Sequence, residues 1–77
     1  MEENHTKAGP YQLLLMEKIR QVADPNHKLS DVLMDILDIG RDATYRRMRG
    51  DTDISFEEAV KLAKFFRISL GEVAGYS

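Results

Sequence analysis

Apolar residues recur at helical spacing along most of the chain, and the first such run follows a polar decapeptide. The opening residues, MEENHTKAGP, show no periodicity and are predicted to form a flexible leader, 1–10. Pro10 suits the first turn of a helix because its missing N–H is not needed there. Five apolar residues then share one helical face: Tyr11, Leu14, Leu15, Ile19 and Val22. Asp24 precedes Pro25 and is pushed out of the α region, so this helix is expected to end there.

Four further helix starts show an apolar residue followed by a residue that caps helices. They are Leu29-Ser30, Ile39-Gly40, Ile54-Ser55 and Ile68-Ser69. In the last two, a glutamate follows the serine by three residues, at Glu58 and Glu72, which is the pattern of a capping box. The second helix is expected to run through Leu37 and the fourth through Phe66, while Gly50 ends the third with a left-handed residue. The sequence therefore predicts an all-α fold of five short helices with no strands.

The apolar positions of these helices define a candidate core. It comprises Leu14, Leu15, Ile19, Leu33, Leu37, Ile39, Met48, Ala59, Leu62, Ala63, Phe66, Ile68 and Val73. Phe65 and Phe66 are adjacent and cannot face the core equally, so Phe65 is expected to be half covered. Val32 and Ile36 are expected to pack on the first helix or under the leader, and a subunit or partner interface is the alternative. Tyr76, near the end of the sequence, could likewise take part in a subunit or partner interface.

The composition is that of a small soluble protein with one domain. The chain has 77 residues, of which 43% are apolar and 31% charged, and it has no cysteine. No apolar run approaches the roughly 20 residues that span a bilayer, and the N-terminus lacks a signal-peptide pattern. We therefore expect one cytoplasmic domain over residues 11–77, with no membrane partner, no metal and no cofactor.

Positive charge is concentrated in one short segment. The net charge of the chain is -2, yet GRDATYRRMRG, from Gly40 to Gly50, contains four of the six arginines. Asp42 alone opposes them there, so the local net charge is +3. An arginine-rich helix face is often only a solvated surface, and an acidic chain is an unusual partner for nucleic acid. The position of the segment in the fold therefore matters more than its charge.

The arginine segment forms the second helix of a closely spaced pair. LSDVLMDIL and RDATYRRMR are separated by three residues, which is the spacing of a helix-turn-helix. Asp38 stands where such a turn needs a left-handed residue. On a period of 3.6 residues, Ile39, Thr44 and Met48 face inward. The outward residues are Arg41, Asp42, Tyr45, Arg46 and Arg49, with Arg47 at the margin. Guanidinium groups on that face can bind guanine edges or phosphates, so contact with the DNA major groove is predicted.

The segment from Leu29 to Val73 resembles the Cro/C1-type (XRE-like, lambda-repressor-like) helix-turn-helix family of bacterial regulators. Its tail VKLAKFFRISLGEV is similar to the family pattern LxKLAKxLxISLDEL, and Arg49-Gly50 is similar to the RG that ends the recognition helix. YRRMRG is similar to the YRRIRG of one branch. The resemblance covers about 45 of the 77 residues. It implies a five-helix, lambda-repressor-like domain that binds specific DNA sequences in transcription regulation.

The resemblance also implies roles for individual residues. It matches Gly40, Arg41, Asp42, Tyr45 and Arg46 to positions that face the groove, and Ser30 to a position that reaches phosphate. We therefore expect base reading by Arg41, Asp42, Tyr45 and Arg46, and phosphate contact by Ser30, Gly40, Arg47 and Arg49. The expected partner is double-stranded DNA, bound as a homodimer. Two routes to the dimer stay open: the last helix, or a longer regulator of which this chain is a part.

The sequence gives little support for catalysis. His5 lies in the leader and His27 in a turn, with no serine or cysteine nucleophile spaced to pair with either. DTDISFEE lacks the glycine and the terminal glutamate of a calcium loop. We expect no enzyme. The alternative function is a protein-interaction or antitoxin-like module that keeps the helix-turn-helix fold, which the negative net charge and the Val32/Ile36 pair favour.

Overall fold

The computed structural model describes residues 8–75, which form five α-helices. These are α1 (Pro10–Val22), α2 (Leu29–Leu37), α3 (Arg41–Arg49), α4 (Phe56–Phe66) and α5 (Leu70–Val73). This part of the chain contains no strand, so the predicted all-α class is confirmed. None of its helices is long and apolar enough to cross a membrane.

Local signals set most of the helix ends. Pro10 occupies the first turn of α1, and Gly50 ends α3 in the left-handed region with φ 86°. Ser55 and Glu58 form both hydrogen bonds of the predicted capping box at α4. At α5 the Ser69 hydroxyl accepts the N–H of Glu72, the first of the two expected bonds.

The start of α2 differs in detail from the prediction. Lys28 is the N-terminal flanking residue, and Leu29 is the first helical residue. Ser30 lies inside the first turn and is only 2% exposed, so its side chain does not cap the helix. Sequence spacing located the helix but not the residue that flanks it.

The buried face of α1 is rotated from the predicted one. Leu15 and Ile19 are buried as expected, but Met16 is 1% exposed, whereas Leu14 is 44% exposed and lies outside the core. Tyr11 and Val22, predicted on the same face as Leu14, are also exposed. Two stripes that share Leu15 and Ile19 are possible on this helix. The stripe that contains Met16 is the buried one, and Gln12 lies on the same side of the helix.

The other predicted core positions lie in or against the core. Leu33, Leu37, Leu62, Ala63 and Val73 are buried, and the partly buried residues packed around the core include Ile39, Met48, Ala59, Phe66 and Ile68. The two adjacent phenylalanines separate as predicted. Phe66 packs against the core, whereas Phe65 is 60% exposed, and their rings meet edge to face with centroids 5.0 Å apart.

The predicted leader extends too far along the chain. Ala8 is buried, and its N–H donates to the Gly50 carbonyl across 2.9 Å, so residues 8–10 belong to the folded part. This contact was not visible in the sequence because it joins residues far apart in the chain. The rest of the leader with His5, and also Tyr76, lie outside the described residues.

Candidate nucleic-acid interface

α2 and α3 are joined by residues 38–40 and pack against each other. Asp38 ends α2 with φ 56° and ψ 50°, the left-handed conformation predicted for it. Thr44 is 1% exposed, and its hydroxyl and its N–H both donate to the Gly40 carbonyl, at 2.8 and 3.0 Å. The hydroxyl of this buried threonine therefore has a partner in the residue that precedes its own helix. Its burial fixes which side of α3 faces inward, as predicted.

The opposite side of α3 is exposed. Arg41, Asp42, Arg46 and Arg49 are all solvent-accessible and lie on one helical face. Gly40 precedes the helix in an extended conformation without a side-chain cap, so no side chain within the described residues occupies the first-turn N–H groups. Such N–H groups favour an anion because they are unsatisfied and lie at the positive end of the helix dipole.

Tyr45 is half-buried and joins α3 to α2. Its hydroxyl donates to Ser30 Oγ across 3.2 Å. The hydrogen bond with Ser30 lowers the pKa of Tyr45 below its ordinary value of 10.0, and the positive charges of Lys28 and Arg41 act in the same direction. Ser30, predicted to reach phosphate, is therefore a buried partner of Tyr45.

Arg47 also makes internal contacts. Its Nε and Nη2 donate to the two carboxylate oxygens of Glu58 at 3.1 and 3.3 Å, and Nη1 donates to the Ala43 carbonyl at 3.0 Å. Both side chains of the pair are less than 20% exposed. The bidentate geometry fixes the guanidinium plane. Arg47, predicted to contact phosphate, thus ties α3 to the start of α4.

Glu58 is shared between two structural features. One of its oxygens, Oε1, accepts both the N–H of Ser55 and the Nε–H of Arg47. Partial burial raises the pKa of Glu58, but the hydrogen bonds from Arg47 and Ser55 outweigh it, so the pKa lies below the ordinary value of 4.5. The sequence pattern identified Glu58 as a capping residue only.

Two arginines of the exposed face are close to carboxylates. Arg46 Nη2 lies 3.6 Å from Asp42 Oδ2, one turn earlier, and Arg49 Nε donates to Asp51 Oδ2 at 2.9 Å. Arg41 has no carboxylate within ion-pair distance among residues 8–75. The four arginines of α3 thus face three paired carboxylates, which leaves one net positive charge. The local field is weaker than the sequence count suggested.

Gln12 joins α1 to the end of α3, although no pattern in the sequence marks it as a structural residue. From α1, its Nε2 donates to the carbonyls of Arg47 and Thr52 at 3.1 and 2.9 Å. Its Oε1 accepts the N–H of Ile54 at 2.7 Å. Both polar atoms of its amide therefore contact the last turn of α3 and the segment that follows it. The signal available was its position three residues before Leu15, on the stripe that proves to be buried.

No family model matches this sequence, and no significant match was found among curated proteins or solved structures. The geometry of the α2–α3 pair is therefore the basis on which a function can be inferred.

Proposed function

We propose that this chain is a sequence-specific DNA-binding transcriptional regulator with a lambda-repressor-like helix-turn-helix, in which α3 enters the major groove. The observation that carries the proposal is the division of the α3 arginines. Arg47 turns inward to Glu58, while Arg41, Arg46 and Arg49 project from the opposite side. That side is free of apolar side chains that would need covering.

The outward arginines have the chemistry of base readers. A guanidinium can donate two parallel hydrogen bonds to the O6 and N7 atoms of guanine. Arg41 and Arg46 lie near the start and the middle of α3, and in helix-turn-helix proteins the N-terminal part of the recognition helix contacts base edges. Asp42, beside Arg46, can accept a hydrogen bond from a cytosine amino group. Tyr45 can offer its ring to a thymine methyl group while its hydroxyl stays with Ser30.

Phosphate contacts would orient α3 in the groove. Arg49 lies at the C-terminal end of the helix, and the uncapped N–H groups after Gly40 lie at the N-terminal end. A phosphate at each end would align the helix with the groove. In this proposal Ser30 and Arg47 act indirectly, because their polar atoms already hold Tyr45 and Glu58.

The direct test is selection of bound duplexes from a random pool, followed by titration of a selected duplex at several salt concentrations. We expect an enriched motif with two-fold symmetry. We also expect log K to fall linearly with log salt, with a slope of about -0.9 for each phosphate neutralised. No binding of any duplex at roughly 50 mM salt would overturn the proposal.

A protein-interaction or antitoxin-like module is the second candidate function. The ion pairs of Arg46 with Asp42 and of Arg49 with Asp51 favour it, because they offset the charge that would attract DNA. The substitution Asp42→Asn separates the two functions. For a DNA-binding protein it should strengthen binding to random duplexes, since a repulsive carboxylate is removed. If the chain is a protein-binding module, neither the wild type nor Asp42→Asn should bind duplex DNA.

A further inference from the structure

An open groove of about 570 Å³ runs between α2 and α4. Its apolar lining is Ile36 from α2 and Phe65 from α4, and the Phe65 side chain is 60% exposed. The next cavity, of about 230 Å³, adds Val32 from α2 and shares Phe65. A large exposed aromatic between two helices, with apolar neighbours on both sides, is typical of an interaction surface.

Charges are arranged asymmetrically across this groove. Asp35 lies on the α2 edge, whereas Lys61 and Lys64 lie on the α4 edge. No ion pair joins Asp35 to either lysine within residues 8–75. The acid and the bases therefore flank the groove without neutralising each other.

This arrangement is complementary to itself. A two-fold axis parallel to the groove would set α2 of one copy against α4 of a second copy. Asp35 of each copy would then face the lysine edge of the other, and Phe65 would face the apolar side chain of Ile36. Like charges would not meet, which is the condition for a stable isologous contact.

We propose that the α2–α4 groove is the surface through which two copies of this chain associate. Asp35 pairs with Lys61 and Lys64 of the second copy at the edges, and Phe65 packs at the centre. The inference gives the homodimer expected for the proposed function a specific surface. It concerns the protein without DNA, so it can fail while DNA binding holds, and the reverse.

Among residues 8–75, a second apolar groove lies between α1 and α5. Tyr11, Leu15, Leu70 and Val73 are among its lining residues, and none of the lining residues is charged. Nothing in it would fix the orientation of a second copy. Association through that face is an outcome that the charge variants below distinguish.

The experiment measures self-association by sedimentation equilibrium for two charge variants, separately and mixed. One variant is Asp35→Lys, and the other is the double change Lys61→Glu with Lys64→Glu. In each variant alone, like charges face each other across the interface. We expect the dimer dissociation constant to rise at least about tenfold. In an equimolar mixture, opposite charges face each other at both edges, so heterodimers should form with nearly the wild-type affinity. A contact within one chain could not produce this rescue.

Phe65→Ser tests the apolar centre of the proposed interface, and Phe56→Ser is its matched control. Both phenylalanines are exposed on α4, but nine residues, or two and a half turns, place them on opposite sides of the helix. Phe65→Ser should weaken the dimer at least about tenfold, and Phe56→Ser should leave it unchanged. A wild-type monomer at about 1 mM would overturn the inference. So would a dimer that tolerates both charge variants, which would indicate the α1–α5 face.

Discussion

Helices α3 and α4 have similar lengths but are held in the molecule by different interactions. α4 buries Leu62 and Ala63 and packs Phe66 against the core, and a complete capping box closes its N-terminus. In α3 only Thr44 is fully buried, and no side chain caps the start. Hydrogen bonds and an ion pair, rather than a wide apolar face, therefore fix the position of α3.

This difference bears on function. A helix that is anchored by a few polar contacts on one side keeps its other side, and its N-terminal N–H groups, available for a partner. α4 uses its N-terminal groups internally, and its inner face supplies Leu62 and Ala63 to the buried residues. We therefore expect changes on the buried side of α4 to reduce stability, and changes on the outer face of α3 to alter binding while stability stays almost unchanged.

The largest effect should come from Leu62→Ala. Leu62 is fully buried, so the substitution removes apolar contacts and leaves a cavity, and we expect a loss of about 2–5 kcal/mol in the free energy of unfolding. Urea denaturation measures this directly. Leu13→Ala is the matched control because Leu13 is 43% exposed, and it should cost less than about 1 kcal/mol. Equal losses would contradict the assignment of the core.

Gln12→Ala should have the next largest effect. The substitution leaves the N–H of Ile54 and the carbonyls of Arg47 and Thr52 without their partner, and we expect a loss of about 2 kcal/mol. Hydrogen exchange at the Ile54 amide should quicken as well. Gln21→Ala, at an exposed position of the same helix, should change stability by less than about 0.5 kcal/mol. An unchanged Ile54 exchange rate would show that Gln12 does not hold this segment.

Glu58→Gln should lower stability by about 1–2 kcal/mol at neutral pH, because the pair with Arg47 is largely but not fully buried. The folded-state pKa of Glu58 lies below its ordinary value of 4.5. Its contribution is therefore complete above that value and is lost as pH falls through the folded-state pKa. Unfolding measured from pH 7 downward should show this loss in the wild type and a flatter curve in Glu58→Gln. Asp51→Asn, which alters the more exposed pair with Arg49, should lower the free energy of unfolding at neutral pH by less than Glu58→Gln does; a larger loss would contradict this order.

Asp38→Gly should change the free energy of unfolding least of these variants, and it should raise it. Asp38 has a positive φ, which glycine adopts without a steric penalty, so we expect a gain of about 0.5–1 kcal/mol. Arg67 ends α4 with nearly the same φ, so Arg67→Gly should give a similar gain in stability. Thermal unfolding measures both gains as a higher midpoint temperature. Losses in both variants would show that these left-handed residues are not strained.

The sequence was sufficient for the features that depend on near neighbours. Pro10, the Ser55 capping box, Gly50 and the left-handed Asp38 are each determined within a few residues, and all were predicted. The inward position of Thr44 followed from the helical period alone. These signals place α3 and determine which side of it is exposed.

Features that depend on distant contacts could not be predicted in the same way. Gln12 and Ile54 are 42 positions apart, and Arg47 and Glu58 are 11 apart. Without those contacts, helical spacing predicted the face of α1 that contains Leu14; Leu15 and Ile19 of that face are buried, but Leu14 is exposed. The expectation that Arg47 contacts phosphate also missed a distant contact. Helical spacing placed Arg47 at the margin of the outer face of α3, but it gave no sign that Glu58 of α4 lies beside it.

The measurement that tests the account most directly is the affinity of Arg46→Ala for a duplex selected by the wild type. The Arg46 side chain is 57% exposed and its contact with Asp42 is a surface pair, so unfolding should be nearly unchanged. We predict an affinity loss of about 1–3 kcal/mol, with relaxed preference at one base pair. Lys18→Ala removes one positive charge from α1, away from α3, and should retain the preference. An Arg46→Ala protein that binds the selected duplex as tightly and as selectively as the wild type would contradict the claim that the outer face of α3 reads DNA.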